Sequence, residues 1–262
     1  MILYHLFKNL LYEKMEQKKG IVFQSYIQEK IIKIIAEYGY ITSSEIKLLL
    51  SGSEEKAQNI LYYMSSKKII SSFKTHMNPA YAYILTTSTK ILITQSGLVE
   101  FIRPFISSKY KPITFYHHTT MIKIHIILEE ILGNSLQRYI SSYRLANQQT
   151  EKICDAEIHY IKHDNDNKPQ NKIAAIEIEL TPKSKKILMN NAHDLLSQSK
   201  ARYNSVIIIY NLIGIKQNWQ NTIKQIEIFP PSNFFFIQDI DIIQNKKNCI
   251  AYDINDTIIP LF

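Results

Sequence analysis

The sequence predicts an α/β (α+β) fold in two parts, a small part rich in helices and a larger part built around a mixed sheet. Helical periodicity dominates the first part, and period-two alternation with continuous apolar runs dominates the second. The charge divides in the same way. Residues 1–110 contain 14 Lys and Arg against 8 Glu and no Asp, whereas residues 111–262 contain 17 Lys and Arg against 15 acids. We therefore expect three segments: an N-terminal arm (1–23), a basic domain (24–110) and a larger α/β domain (111–262).

The first 23 residues are expected to form an amphipathic helix or arm. Apolar residues recur in pairs at helical spacing, at Ile2/Leu3, Leu6/Phe7 and Leu10/Leu11. Such a helix docks on the body of the protein or on a second subunit, and association with a membrane surface is the alternative.

Residues 24–110 predict three helices followed by a β-hairpin. An apolar stripe predicts a first helix that stops at Gly39, and Thr42–Glu45 has the spacing of a capping box that opens a short second helix. Ser53 begins the third helix, and Ile69–Lys74 with Tyr81–Leu85 predicts a hairpin. A closing strand and helix are expected over Ile91–Phe105. The order is that of a winged helix-turn-helix.

In such a domain the third helix enters the major groove of DNA, and the hairpin brings cations to the phosphate backbone. A solvated helix face, or a winged helix used for protein contact, is the alternative. The candidate DNA-binding residues are Lys56, Asn59, Tyr63, Lys67, Lys68, Lys74 and His76.

Residues 111–262 predict a helix followed by a succession of strands and helices. The expected elements are helix His117–Leu132, strands Gln137–Leu145, Ile153–Ile161 and Ile173–Leu180, a helix from Thr181 to about Arg202, strand Ser205–Tyr210, helix Gln217–Ile226 and an apolar segment Phe234–Ile243. The last segment is expected to form an edge strand or a partner surface, and its run of three phenylalanines, 234–236, is expected in the core rather than at an interface.

Acidic residues occupy alternating positions on two of these strands. Glu177 and Glu179 share a face of their strand, and Asp155 lies 22 residues before Glu177. Carboxylates that converge repel one another unless a cation neutralises them, and Mg²⁺ or Mn²⁺ suits such oxygen ligands. Lys183 follows at the start of the next helix, where an ammonium would stabilise the transition state of phosphodiester hydrolysis. A solvent-facing row of glutamates is the alternative.

This arrangement, Asp155, then Glu177-x-Glu179, then Lys183, resembles the PD-(D/E)xK nuclease-like superfamily. Within it, the linear order resembles the replication-relaxation family of plasmid and mobile-element proteins. The matching segments are HHTTMIKIHIILEEIL, ICDAEIHYI and AAIEIELTPKSKKI, with ARYNSVIIIY after them. The resemblance implies DNA processing in plasmid replication, relaxation or transfer. It implies Asp155, Glu177 and Glu179 as metal ligands, with Glu179 alternatively a base, and Lys183 as a catalytic group.

The sequence departs from the superfamily pattern at two positions. Cys154 stands where proline is usual, and Glu179 stands where the pattern has lysine, so that Lys183 becomes the candidate for the missing cation. Glu129 or Glu130 would correspond to the helix acid that sometimes completes the metal site, although solvation at the core edge is the alternative. Three histidines, His117, His118 and His125, suggest either metal ligation or packing at a helix end.

Composition excludes several classes of protein. Two cysteines cannot form a disulfide framework, which favours a cytoplasmic location. Six glycines without a nucleotide-binding motif argue against a nucleotide cofactor. The longest apolar run is too short to span a bilayer, so no membrane partner is expected.

Three functions remain open on the sequence. The first is a metal-dependent DNA endonuclease or nickase, and the second is a catalytically inactive DNA-binding accessory protein or transcriptional regulator. The third is a protein–protein assembly factor. The expected partner is DNA, with a homodimer or other DNA-processing proteins also considered.

Overall fold

The computed structural model describes residues 26–75, 81–104, 112–148, 154–164, 166–226 and 234–259. The expected N-terminal arm (1–23) and the candidate His76 lie outside these residues. The chain divides into two compact units, Met1–Lys109 and Tyr110–Phe262, and each is described by itself.

The first unit contains four helices and three short strands within its described residues. In chain order they are α1 (Tyr26–Tyr38), β1 (Ile41–Thr42), α2 (Ser43–Leu49), α3 (Glu54–Ser66), β2 (Ile70–Lys74), β3 (Tyr81–Leu85) and α4 (Thr87–Gln95). The strands form one antiparallel sheet in the order β1-β3-β2.

Local sequence signals account for the helix boundaries in this unit. Gly39, in the left-handed region at φ 88°, ends α1, and its N–H donates to the carbonyl of Ile35. The expected capping box is present, with the Thr42 N–H 2.8 Å from a Glu45 carboxylate oxygen. Ser53 caps α3 by accepting from the backbone of Lys56. The expected closing strand after Ile91 is wrong, because Thr86 caps a helix that runs through that position.

The second unit is built on a seven-stranded mixed sheet. Its elements are α5 (Pro112–Leu132), β4 (Leu136–Ser141), α6 (Ser142–Gln148), β5 (Ala156–His163), β6 (Pro169–Glu179), α7 (Lys185–Ala201), β7 (Ser205–Tyr210), α8 (Ile213–Gln225), β8 (Phe234–Gln238), α9 (Asp239–Asn245), β9 (Ala251–Tyr252) and β10 (Ile258–Ile259). The strand order is β10-β9-β8-β7-β6-β5-β4. Strand β5 is antiparallel to both β4 and β6, and β6, β7 and β8 run parallel. The expected α/β class is thereby confirmed.

The centre of the sheet is covered on both faces. Strand β7 is buried at every position, as its continuous apolar sequence requires. On one face, Ile208 and Phe236 pack with Leu188 of α7 and Trp219 of α8. Side chains alternate along a strand, so Ile207 and Ile209 point to the opposite face, which α5 covers through its contacts with β4 and β6. Strand β7, the central strand of the seven, is therefore covered on both faces, and the buried second half of β6 lies beside it.

Two expected strands are shorter than the apolar pattern indicated. β4 ends at Ser141 and α6 begins at Ser142, whose N–H still donates to the carbonyl of Asp155, the residue before β5. β8 ends at Gln238 and Asp239 opens α9. Strand β8 lies between β7 and β9, so the expected edge strand is wrong. Phe234 and Phe236 are buried, which confirms the core position expected of the phenylalanine run.

The β5–β6 hairpin extends past its neighbours. The two strands pair as far as His163 and Pro169, whereas β4 reaches only Tyr160 and β7 begins opposite Ala174. The described residues of this extension, 161–164 and 166–171, are called here the projecting hairpin and are mostly exposed. The opposite end of the same two strands carries the acidic residues.

In the residues that the structure describes, no helix has the length and apolar character that a membrane crossing requires.

Candidate functional site

A cavity of about 380 Å³ lies where β6 ends and α7 has not yet begun. It brings together α5, the start of α6, the residue before β5 and the segment after β6. Its lining residues are Thr114, His117, His118, Met121, Ser142, Tyr143, Asp155, Glu177, Ile178, Glu179, Leu180, Thr181 and Lys183. All four predicted catalytic residues are among them.

Asp155 is held at the entrance to β5 by several hydrogen bonds. It is 1% exposed, and its backbone N–H donates to the carbonyl of Ile176 on β6. Its side chain extends the ladder by one step, since Oδ2 accepts from the Ile178 N–H at 2.9 Å. The same Oδ2 lies 3.0 Å from His117 Nε2. The carboxylate is therefore fixed in direction by both the neighbouring strand and α5.

Glu177 and Glu179 share one ammonium group. Lys183 Nζ lies 2.6 Å from Glu179 Oε2 and 3.4 Å from Glu177 Oε1. Both glutamates are buried, at 8% and 3% exposure, so they do not form a solvent-facing row. Lys183 lies in the loop before α7, which begins at Lys185 and not at the expected Thr181. The loop gives the lysine side chain the direction that it needs to reach back to β6.

Burial and charge perturb the acid–base properties of this group. Burial raises the pKa of Glu179, and the contact with Lys183 offsets only part of that effect. Burial alone would lower the pKa of Lys183, but Glu177 and Glu179 outweigh it and hold the pKa above its usual value. Lys183 is therefore an ammonium at neutral pH and serves as a fixed positive charge.

The three histidines of α5 separate into different environments. His117 Nε2 lies within hydrogen-bonding distance of two acceptors, Asp155 Oδ2 and the carbonyl of Ile178 at 3.1 Å, which places the proton on Nε2. His118 pairs with Tyr143. His125 stacks on Tyr139 at 3.8 Å between ring centroids, beside Glu129. His118 and His125 therefore do not form one metal site.

The expected helix acid is not at the cavity. Glu129 pairs with His125, and Glu130 binds Lys246. Twelve residues after His117, Glu129 is about 18 Å farther along the helix axis. In the described part of the chain, no three His, Cys, Asp or Glu side chains are grouped so that they could hold a metal ion together.

A fourth buried carboxylate, Glu157, is not among the predicted site residues. It is fully buried two residues after Asp155, and its oxygens contact His159 and, at 2.6 Å, Arg202. The hydrogen bond from Arg202 raises the pKa of that guanidinium above its usual value. Alternation places Glu157 on the same face as Asp155, but the partner that neutralises it follows α7 and is remote in sequence.

In the first unit, the described candidates for DNA contact are at the surface. Lys56, Asn59, Lys67, Lys68 and Lys74 are exposed and Tyr63 is half-buried, with the Lys67 ammonium 5.9 Å from the centre of its ring. Tyr62 is not among the predicted residues, although it is 79% exposed on the same helix. An aromatic ring at an outward helical position is the signal that identifies it.

Comparison with protein-family models, with curated proteins and with solved structures finds no match for this chain.

Proposed function

We propose that this protein binds DNA through its first unit and cleaves a phosphodiester bond at the cavity of its second unit. The observation that carries the proposal is the set of three buried carboxylates, Asp155, Glu177 and Glu179, with one lysine at the wall of a cavity. Burying three acids is costly, and it is typical of sites that bind or transform a charged ligand.

The order of elements in the first unit supports a winged helix-turn-helix. A three-helix arrangement precedes a hairpin, and the short strand β1 between the first two helices pairs with β3 of that hairpin. Exposed lysines occupy α3 and the following turn, with Lys74 at the end of β2. Cations on a helix and an adjacent hairpin suit the spacing of a DNA backbone.

The order of acids in the second unit supports a PD-(D/E)xK-like core of the kind found in proteins that process plasmid and mobile-element DNA. Asp155 directly precedes β5, Glu177 and Glu179 end the antiparallel neighbour β6, and Lys183 follows before α7. Asp155 and Glu177, 22 positions apart in sequence, are therefore opposite one another on neighbouring strands.

The acids fit a hard divalent cation. Mg²⁺ or Mn²⁺ takes one or two carboxylates and completes its shell with water and phosphate oxygens, so a cluster of three protein ligands is not required. Glu177 and Glu179 would hold the ion, with Asp155 beside them, and the ion would supply Lewis-acid activation of the phosphodiester. Burial raises the pKa of Glu179, which means that its ionised form is destabilised. A bound cation would stabilise that ionised form.

The chain's own residues contribute position and charge. His117 and the Ile178 N–H hold Asp155 in a fixed orientation. Lys183 places a permanent positive charge at the cavity wall, where it would offset the charge that develops on a phosphate in the transition state.

The test is a cleavage assay on supercoiled, linear and single-stranded DNA with Mg²⁺ or Mn²⁺. Wild type is expected to cut at least one substrate, and Glu177→Gln is expected to reduce the rate by about 100-fold or more, the range of a lost catalytic group. Glu130→Gln, which changes an acid of α5 bound to Lys246 instead, is the matched control and retains activity. Intact DNA in every wild-type reaction would overturn the nuclease proposal.

A DNA-binding accessory protein without catalysis is the second candidate. The contacts of Lys183 with both glutamates favour it, because an internal ammonium already neutralises part of the acid charge. This candidate predicts salt-sensitive DNA affinity that Asp155→Ala leaves unchanged, and no DNA cleavage with either metal.

A further inference from the structure

A tyrosine and a histidine in the cavity have no part in the function proposed above. Tyr143, half-buried at the start of α6, has its hydroxyl 3.4 Å from Nε2 of His118, which is 4% exposed on α5. The two rings meet edge to face, with centroids 5.8 Å apart. Both residues line the same cavity as the three carboxylates and Lys183.

The Tyr143–His118 pair is connected to Asp155 through the residue next to each partner. Ser142 precedes Tyr143 in sequence, and its N–H donates to the Asp155 carbonyl at 2.8 Å. His117, adjacent to His118, contacts the Asp155 side chain. Tyr143 and His118 each follow a residue that is hydrogen-bonded to Asp155. The position of the pair relative to Asp155 is therefore fixed within the second unit.

The geometry suits transfer of the phenolic proton. His118 Nε2 faces the Tyr143 hydroxyl, and a neutral imidazole nitrogen accepts from a phenol. A nucleophile and its base within hydrogen-bonding reach, with the contact somewhat long before substrate binds, is the usual arrangement in covalent catalysis. Glu179 is occupied by Lys183, and Lys183 is held protonated, so neither is placed to take this proton.

We propose that Tyr143 is a nucleophile that joins the protein covalently to one end of the DNA strand that it cuts, with His118 as the base that activates it. The inference rests on the proposed function and names the attacking group for it. The Tyr143 oxygen forms a bond to phosphorus as the bond from phosphorus to one sugar oxygen breaks. The phenolic proton passes to His118 Nε2, and the departing sugar oxygen keeps the electron pair and takes a proton from water.

Such a step conserves the number of phosphoester bonds. The products are a protein–DNA phosphotyrosine and a free sugar hydroxyl, and no oxidant or second substrate is consumed. The free hydroxyl can attack the phosphotyrosine and restore the strand. A reaction of this kind relaxes or transfers a strand, whereas attack by water only breaks it.

The experiment mixes the full chain with supercoiled plasmid and with end-labelled single- and double-stranded DNA in Mg²⁺ or Mn²⁺, then stops the reaction with detergent. Wild type is expected to give a labelled, protease-sensitive band at the mass of the 30.6 kDa chain plus DNA. Peptide mass spectrometry should place the nucleotide on Tyr143. Tyr143→Phe, which removes one oxygen atom, should abolish the band, and His118→Gln should reduce it about 100-fold.

Tyr116→Phe is the matched control, since Tyr116 is 51% exposed one position before His117 and does not line the cavity. Its adduct level should equal that of wild type. Cleavage that depends on Glu177 but gives only free ends overturns the inference and leaves the proposed function intact. An adduct that persists in Tyr143→Phe also overturns the inference, and unreacted DNA throughout overturns both.

Discussion

Replacing Lys183 by methionine tests whether the acids of the cavity depend on a single internal cation. The substitution nearly keeps the length of the side chain and removes the ammonium, which lies 2.6 Å from Glu179 and 3.4 Å from Glu177. The carboxylates remain buried on β6, so the change in stability measures the electrostatic cost of burying them without the ammonium.

The magnitude follows from burial. At an effective dielectric constant of about 20, two unit charges at these distances attract by roughly 5–6 kcal/mol, most of which desolvation offsets. Breaking a fully buried pair costs about 3–5 kcal/mol. The Lys183 side chain is 25% exposed, so water reduces the loss, and we expect a decrease of about 2–3 kcal/mol in the free energy of unfolding at pH 8.

The ionisation of Glu179 determines how the destabilisation by Lys183→Met varies with pH. Its pKa is raised above the ordinary value of 4.5, so the native state takes up a proton more readily than the unfolded chain as the pH falls. Protonation removes the charge that the variant leaves unpaired. The destabilisation by Lys183→Met should therefore be largest at pH 8 and should decline as the pH approaches 4.5.

Urea unfolding monitored by tryptophan fluorescence measures this effect. Trp219 is the only tryptophan of the chain and is fully buried in the core of the second unit. Lys186→Met, which replaces an exposed lysine in the first turn of α7, is the matched control and should change stability by less than about 0.5 kcal/mol. A Lys183→Met protein as stable as the control at pH 8 would refute the reasoning, as would a loss that does not vary with pH.

Three further predictions concern individual charges. The free energy of unfolding of Glu179→Gln, measured in urea, should rise relative to wild type between pH 4.5 and pH 8, because a raised carboxyl pKa makes the native state less stable as the pH increases through it. Arg202→Met should cost about 2–4 kcal/mol in thermal or urea unfolding, since Glu157 is left buried without its guanidinium; a loss under about 0.5 kcal/mol would contradict this pairing. Lys68→Ala should lower the slope of log affinity for DNA against log salt by about 0.9, whereas Lys33→Ala, which removes the partner of Glu29 on α1, should not change it.

Sequence patterns are sufficient where short-range signals decide the structure. The capping box at Thr42, the cap at Ser53 and the apolar run of β7 each depend on neighbours within a few residues, and each element is present. Period-two alternation also places Glu177 and Glu179 on one face of β6. The acids, and the loop lysine that follows them, are therefore identifiable from the amino-acid sequence alone.

Long-range contacts explain what the sequence did not predict. The strand expected over Gln137–Leu145 is replaced by a helix from Ser142, and no periodicity over so few residues marks where β4 stops pairing with β5. Strand β8 is internal because β9, a strand of two residues, pairs with it, and no periodicity is visible in two residues. The His117–Asp155 contact joins positions 38 apart, and sequence spacing carries no information about it.

The projecting hairpin is a suitable site for attaching a label to this chain. Its tip, where the Asp164 side chain accepts from the backbone of Asp166 and Lys168, is about 26 Å from Glu177 along β6. Exposed tips of this kind tolerate insertions, since few buried contacts are lost. A fluorophore or an affinity tag attached there would stand clear of both the acidic cavity and the core around Trp219. The protein can thus be immobilised or labelled for single-molecule work without disturbing the residues whose chemistry is in question.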